Sequence, residues 1–207
     1  SIEISENNYE EQLRSSIVKN IELTNIGPSV MSGRVTDLEV NPNNPTEFYV
    51  AYASGGLWHT KNNGTTFSPI MDNSMTQNIG DFAIDWKSNS IYVGTGESNS
   101  SRSSYPGIGI LKSNDNGSTW TNIGLRDSHH ISRVLVNPNN ENHIVVAVIG
   151  HLYTKNTQRG IFTSFDNGKT WEKSLFINDH TGAIDLVVDP ENFDIQYAAS
   201  WERERKA

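Results

Sequence analysis

The chain has 207 residues, enough for one ordinary domain, with a net charge of −8 and no cysteine. The negative charge argues against a nucleic-acid backbone as a partner, and the lack of cysteine excludes disulfides and thiolate metal sites. No apolar run approaches the roughly 20 residues of a membrane-spanning helix, so we predict no transmembrane segment.

The first twenty residues differ from the rest of the chain. Tyr9, Leu13, Ile17 and Val18 follow one another at a helix-like spacing among charged residues. We therefore predict an N-terminal arm at residues 1–20 that forms a short helix packed against the rest of the protein. A helix that binds a partner is the alternative.

From residue 21 onward, short runs rich in β-branched and aromatic residues alternate with turn-forming sequences, which is typical of antiparallel strands. Asn-Pro or related turns recur near residues 41, 86, 137 and 189, between the first and second strand of each unit. The predicted first strands are 34–40, 79–86, 131–136 and 183–188, the second strands 47–53, 91–94, 144–149 and 196–200, the third strands 56–60, 107–112 and 160–164, and the fourth strands 67–70, 120–123 and 171–175.

An octet of residues recurs between the third and fourth strand of each unit. Residues 113–120 (SNDNGSTW) and 164–171 (SFDNGKTW) are close copies, residues 60–67 (TKNNGTTF) are a weaker one, and their glycines are 53 and 51 residues apart. Asp-Asn-Gly supplies an acceptor side chain and residues that tolerate positive φ, so the octet predicts a hairpin. We assign structural roles to Asn62, Gly64, Asp115, Gly117, Trp120, Asp166, Gly168 and Trp171.

A repeat near fifty residues predicts an all-β fold, a β-propeller of four-stranded antiparallel blades. The blades are expected at about 21–72, 73–125 and 126–177, with an incomplete blade at 178–207. Closed propellers have about four to eight blades. We therefore expect residues 21–207 to be the N-terminal part of a propeller, whose remaining blades come from the same protein or another chain. A small free-standing sandwich is the alternative.

The octet pattern S-x-D-x-G-x-[ST]-W resembles the Asp-box of sialidase-like and sortilin-like propellers. Further strings, among them Gly94-Thr95-Gly96-Glu97, extend the resemblance over residues 20–207. They are similar to the sortilin-like, BNR/Asp-box propellers of large exported bacterial proteins, many of which are labelled glycosyl hydrolase. The resemblance implies a secreted, periplasmic or cell-surface protein.

The resemblance also allows two hydrolase mechanisms to be tested on residues. Related xyloglucanases place a catalytic aspartate just before a Gly-Gly pair, where this chain has Ala53-Ser54-Gly55-Gly56 and no carboxylate. A glycosidase would thereby lose one of its two carboxyl groups. A sialidase needs three arginines and a Tyr/Glu pair. Arg34, Arg102, Arg133 and Arg159 could supply the arginines, but no Tyr/Glu pair can be assigned. We predict no catalytic residue in this segment.

Polar residues at strand ends are the candidates for binding. In a propeller, the loops that enter the first strand and those that leave the second strand surround the same opening, and such loops commonly carry function. The predicted binding residues are Arg34, Glu97, Arg102, His130, His151, Arg159, Asp185 and Trp201. A set of inter-blade salt bridges and turn hydrogen bonds is the alternative. We expect Glu97 to pair with Arg34 or Arg102, because an isolated buried carboxylate is costly.

These residues favour a binding or assembly scaffold that presents one loop face to a protein, a peptide or a glycan. A glycoside hydrolase whose catalytic residues lie outside this segment is the alternative. The histidines do not form a metal-ligand spacing, so we predict no metal and no cofactor.

Overall fold

The computed structural model describes residues 33–99 and 104–205. The predicted helix at residues 1–20 and the predicted binding residue Arg102 lie outside the described residues. In the described part of the chain, 14 β-strands form four antiparallel sheets, and no helix has the length and hydrophobicity to cross a bilayer.

Each sheet contains strands that follow one another along the chain, which confirms the all-β fold and the four-stranded antiparallel blades. Three sheets have four strands, and the fourth has two among the described residues. The strands of the first two blades are β1 (Val35–Val40), β2 (Phe48–Tyr52), β3 (Gly56–Thr60), β4 (Ser68–Pro69), β5 (Ile79–Asp85), β6 (Ser90–Thr95), β7 (Ile110–Ser113) and β8 (Thr121–Gly124). Those of the last two are β9 (Ile131–Asn137), β10 (Asn140–Val148), β11 (Gly160–Ser164), β12 (Glu172–Leu175), β13 (Thr181–Val188) and β14 (Gln196–Glu202).

The strand positions agree with the sequence pattern except at some ends. A third strand was expected from residue 107, but β7 begins at Ile110. The Thr95 hydroxyl explains the difference, because it accepts from the Ile108 amide at 2.7 Å and donates to the Gly109 carbonyl at 2.6 Å. These bonds hold the 107–109 segment as a bend at the end of β6. The expected strand at 67–70 shortens to β4, whose Pro69 has no amide to donate.

The hydrophobic core lies between the sheets. Tyr49, Leu57, Phe82, Val93 and Leu111 belong to the cluster between the first two blades. A second cluster fills the space between the second and third blades, and a smaller one lies between the third and fourth. Strand β10 is buried on both sides from His143 to Val148, which explains why its sequence is apolar without alternation.

The strands β1, β5, β9 and β13 contact one another and line the inner edge of the blades. Each has a β-bulge at the same place, directly before a charged residue that pairs with Ala51, Gly94, Ala147 or Ala199 of the second strand. A bulge changes the direction of the next side chain. The four charged residues, here called the axial ring, are Asp37, Asp81, Arg133 and Asp185.

The repeated octets form the hairpins that their sequence predicts. In the third blade, the Thr170 amide and hydroxyl donate to the Asp166 carboxylate at 2.8 and 2.6 Å, while Ser164 Oγ accepts from the Gly168 amide at 2.8 Å. Asn167 and Gly168 have φ values of 63° and 84°. A Cβ on Gly168 would collide with Ile123 of the preceding blade, so glycine is required by both its conformation and its packing.

The second and third octets also contact the preceding blade. Trp120 Nε1 donates to the Ile70 carbonyl at 3.1 Å, and Trp171 Nε1 donates to the Ile123 carbonyl at 2.8 Å. The Tyr92 hydroxyl donates to the Asn167 side chain at 3.1 Å. The octets therefore close their own turns and join neighbouring blades.

Candidate binding face

The blades have two different ends. One end, here called the turn face, carries the octets and the short turns between first and second strands. The opposite end, here called the loop face, carries the connections between blades and between second and third strands. Its described segments are residues 33–34, 53–55, 70–78, 96–99, 104–109, 125–130, 149–159, 176–180 and 203–205.

Glu97 and Arg34 form an ion pair on the loop face, which confirms the expected pairing of Glu97. Glu97 follows β6 and is buried, whereas about half of the Arg34 side chain, 47%, is exposed just before β1. The Arg34 carbonyl accepts from the Ala53 amide at 2.8 Å, which holds the start of the first blade against the end of β2. The pair thus joins two blades and leaves part of a cation at the surface.

His130 lies next to Glu97 and is also buried. Its Nδ1 donates to the Glu97 carbonyl at 2.9 Å. Burial, followed by the nearby positive charge of Arg203, lowers the pKa of His130 to about 3, so the ring is neutral at pH 7. The two loops touch directly, since the Gly107 amide donates to the His129 carbonyl at 2.6 Å.

Arg159 and Arg203 are buried arginines that connect loops. Arg159 donates to the carbonyls of Ile149 and Thr154 at 2.9 and 3.0 Å. Arg203 donates to the carbonyls of Ser98 and Asn99, both at 2.9 Å, and so joins the segment after β14 to the second blade. The Arg159 guanidinium therefore lies inside the loop network rather than at the surface of the loop face.

Large aromatic side chains are exposed on the loop face. Tyr105 is 52% exposed in the loop between β6 and β7, and Tyr153 is 62% exposed in the corresponding loop of the next blade. Trp201, 42% exposed at the end of β14, lies against the Arg203 guanidinium, 5.2 Å from its ring centre. Sequence reasoning selected Trp201 but missed both tyrosines, because a lone tyrosine in a loop carries no pattern.

Asp185 does not join the loop-face residues but lies in the axial ring. Arg133 connects two carboxylates there, with Nε donating to Asp185 at 2.7 Å and Nη1 to Asp81 at 3.2 Å. The hydrogen bond from Arg133 lowers the pKa of Asp185. Burial, followed by the charge of Asp37, raises the pKa of Asp81 well above its usual value. Among the described arginines considered for a sialidase, Arg133 bonds Asp81 and Asp185, whereas Arg159 bonds loop carbonyls.

Asp127, His129 and His151 form a further group on the loop face. One ligand atom of each residue lies within 4.8 Å of the others. His151 Nε2 lies 3.0 Å from Asp127 Oδ1, and the His129 and His151 rings stack at 3.6 Å between centres. His151 was selected from the sequence. Asp127 and His129 were missed because the three residues come from two loops that only the fold brings together.

Solved structures with the same fold include enzymes and a peptide-binding protein. An ancestral GH74 enzyme is similar over 81% of this chain, with a TM-score of 0.63 and 21% identity. The GH74 xyloglucanase from Xanthomonas campestris is similar over 83% of the chain, with a TM-score of 0.59 and 16% identity. YCF48 bound to D1 peptide is similar over 87%, with a TM-score of 0.51 and 14% identity.

These similarities establish the β-propeller fold. The chain spans 22% and 27% of the two GH74 chains and 50% of YCF48. No protein-family model and no curated protein sequence matches it. At 14 to 21% identity the structures share a fold, and a fold by itself does not determine function.

Proposed function

We propose that this chain is a binding scaffold of an exported bacterial protein, and that its loop face binds an extended peptide or a peptide segment of a partner protein. The observation that carries this proposal is the pair of exposed tyrosines, Tyr105 and Tyr153, in corresponding loops of two neighbouring blades on one face of an all-β framework. Aromatic residues and arginine are enriched where proteins bind one another, because they bury a large area at a low entropic cost.

The surroundings of these aromatics support the proposal. Arg34 supplies a partly exposed cation, and its buried partner Glu97 restrains the guanidinium. Arg203 holds the segment that carries Trp201 against the second blade. A preorganised surface loses little conformational freedom on binding, which favours affinity. YCF48 bound to D1 peptide provides an example of peptide binding on the same fold.

We further propose that the protein belongs to the sortilin-like, Asp-box group of propellers. The octet hairpins support this assignment, because Asp115 and Asp166 make the same hydrogen bonds to Thr119 and Thr170 in two successive blades. We place the protein outside the cytoplasm on the basis of this resemblance. Additional blades or another chain would then cover the outer edge of β14.

Peptide selection followed by mutation tests the binding proposal. Peptides are selected from a random display library against the folded 207-residue chain, and the Kd of the best peptide is measured by fluorescence anisotropy. We expect Tyr105→Ala and Tyr153→Ala each to weaken binding at least about tenfold, as for interface hot spots. The matched control is Phe165→Ala, because Phe165 is an equally exposed aromatic, 59%, on the turn face.

The control variant shows which of the two faces binds the selected peptide. A selected peptide whose Kd is unchanged by the two loop-face variants, or is weakened mainly by Phe165→Ala, would show that the loop face is not the binding surface. Circular dichroism of each variant establishes that the fold is retained.

A glycoside hydrolase is the second candidate, favoured by the axial ring. Asp81 and Asp185 contact the same arginine but have pKa shifts of opposite sign, as expected of a catalytic acid and its ionised partner. Release of reducing ends from a glycan panel, including xyloglucan, tests this candidate. Activity that is lost in Asp81→Asn would replace the binding proposal with a catalytic one.

A further inference from the structure

We propose that Asp127, His129 and His151 form a binding site for a divalent transition-metal ion, best suited to Zn²⁺. Two imidazoles and one carboxylate are a common ligand set for this ion, and three protein ligands leave one position open. All three side chains are at least partly exposed, so an ion can enter from solvent.

The ligand atoms are already close to the separation that zinc requires. They lie within 4.8 Å of one another, whereas Zn–N lengths of about 2.0–2.1 Å place tetrahedral ligands roughly 3.3 Å apart. The His129 and His151 planes are only 20° apart. Because imidazole lone pairs lie in the ring plane, binding requires one ring to rotate out of the stack. The partial exposure of His129 leaves room for that rotation.

A second layer of hydrogen bonds holds His151 in a suitable orientation. His151 Nδ1 lies 2.7 Å from Thr154 Oγ1. Without an ion, Nε2–H donates to the Asp127 carboxylate and Nδ1 accepts from the Thr154 hydroxyl. With an ion bound to Nε2, the proton would lie on Nδ1, which would donate to the same hydroxyl. Partners of this kind fix the tautomer of metal-binding histidines. The buried Arg159 guanidinium in turn bonds the Thr154 carbonyl at 3.0 Å, which fixes the position of the loop.

The buried side chain of Asn156 connects the two loops that supply the ligands. Its Oδ1 accepts from the His151 amide at 3.1 Å, and its Nδ2 donates to the Asp127 carbonyl at 2.8 Å. Gln158 Oε1 accepts from the Asp127 amide at 2.9 Å. The ligand-bearing backbone is therefore set before any ion arrives, which lowers the cost of binding.

Titration of the tag-free, metal-stripped chain with zinc chloride tests the site. Isothermal calorimetry is expected to show one Zn²⁺ per chain, and Co²⁺ is expected to give the visible absorption of a low-symmetry four-coordinate site. Loss of a residue that only hydrogen-bonds a metal ligand weakens metal binding by about 10- to 100-fold. The double variant Asp127→Asn/His129→Asn removes two ligands, so its Kd for zinc is expected to rise more than about 100-fold. Asparagine tolerates the positive φ of 54° at residue 129.

The matched control is His180→Gln. His180 also pairs with an aspartate, Nδ1 to Asp179 Oδ1 at 2.8 Å, but this pair is not part of the three-residue group. We expect its zinc affinity to equal that of the wild type. Absence of zinc binding by the folded wild type, or equal affinity of the double variant and the wild type, would overturn the proposal.

Thr154 provides a second and gentler test. Thr154→Val keeps the side-chain shape but removes the partner of His151 Nδ1, and it is expected to weaken zinc binding about 10- to 100-fold. Thr154→Ser is expected to restore most of the affinity. An unchanged Kd for zinc in Thr154→Val would contradict the proposed orientation of His151. Anomalous diffraction at the zinc edge shows where the ion binds, and an ion bound away from these three residues would overturn the proposal.

Discussion

The turn face and the loop face of this propeller are built from the same blades but satisfy their polar groups differently. On the turn face, Asp115 and Asp166 accept hydrogen bonds within their own octets. On the loop face, Glu97 and Arg203 find their partners in other blades, and several aromatics stay exposed. Local repeats therefore stabilise the turn face, whereas contacts between residues far apart in the sequence shape the loop face.

The largest expected effect concerns the turn face. Trp171 packs against the cluster between the second and third blades and donates to the Ile123 carbonyl. Trp171→Ala is expected to lower the free energy of unfolding by about 3–5 kcal/mol, measured by denaturant unfolding. Phe165→Ala, in the same octet but exposed, is expected to cost less than about 1 kcal/mol. Equal losses would show that the octet aromatic does not join the blades.

The next effect separates the two partners of the loop-face ion pair. Arg34→Met leaves the buried Glu97 carboxylate without this partner and is expected to cost about 2–3 kcal/mol. Glu97→Gln is expected to cost less, because the Arg34 guanidinium is half exposed and regains water. Denaturant unfolding of both variants measures the difference. If Glu97→Gln were the more destabilising change, Arg34 would not be the main partner of the buried carboxylate.

A smaller effect arises on β1, where burial, followed by the charge of Asp37, raises the pKa of Glu39 from 4.5 to about 7. The folded state then binds this proton more tightly than the unfolded state. The resulting stability is fully present below pH 4.5 and is lost as the pH rises through 7. Glu39→Gln is therefore expected to stabilise the protein at pH 8, by about 1 kcal/mol after allowance for partial exposure, and to have little effect at pH 4. Thermal melts at both pH values test this; stabilisation at pH 4 alone would contradict it.

The smallest expected effect has the opposite pH dependence and lies on the turn face. Hydrogen bonds from the Thr170 hydroxyl and amide lower the pKa of Asp166 from 3.8 to about 2. The stability from this group is present above pH 3.8 and is lost as the pH falls through 2. Asp166→Asn is expected to lower the melting temperature at pH 7, and its difference from the wild type is expected to shrink toward pH 2. A difference that stayed constant over this range would show that the carboxylate charge is not involved.

The features that could be predicted from the sequence are those that depend on neighbouring residues along the chain. The octets predicted hairpins with positive φ at Asn116 and Asn167, and the strand order followed from the turns between apolar runs. These features arise from local hydrogen bonds and side-chain periodicity, which depend only on short stretches of residues. The sequence also predicted that Glu97 pairs with Arg34 or Arg102, because an isolated buried carboxylate is costly, and the structure shows the pair with Arg34.

Which residues share a site depends on the three-dimensional fold. It placed Asp185 in the axial ring with Arg133, buried Arg159 among carbonyls, and brought Asp127 and His129 beside His151. Contacts of this kind depend on the curvature of the blades and on loops that have no regular period. Their physical origin lies in the packing of one blade on the next, and a linear sequence does not display that packing.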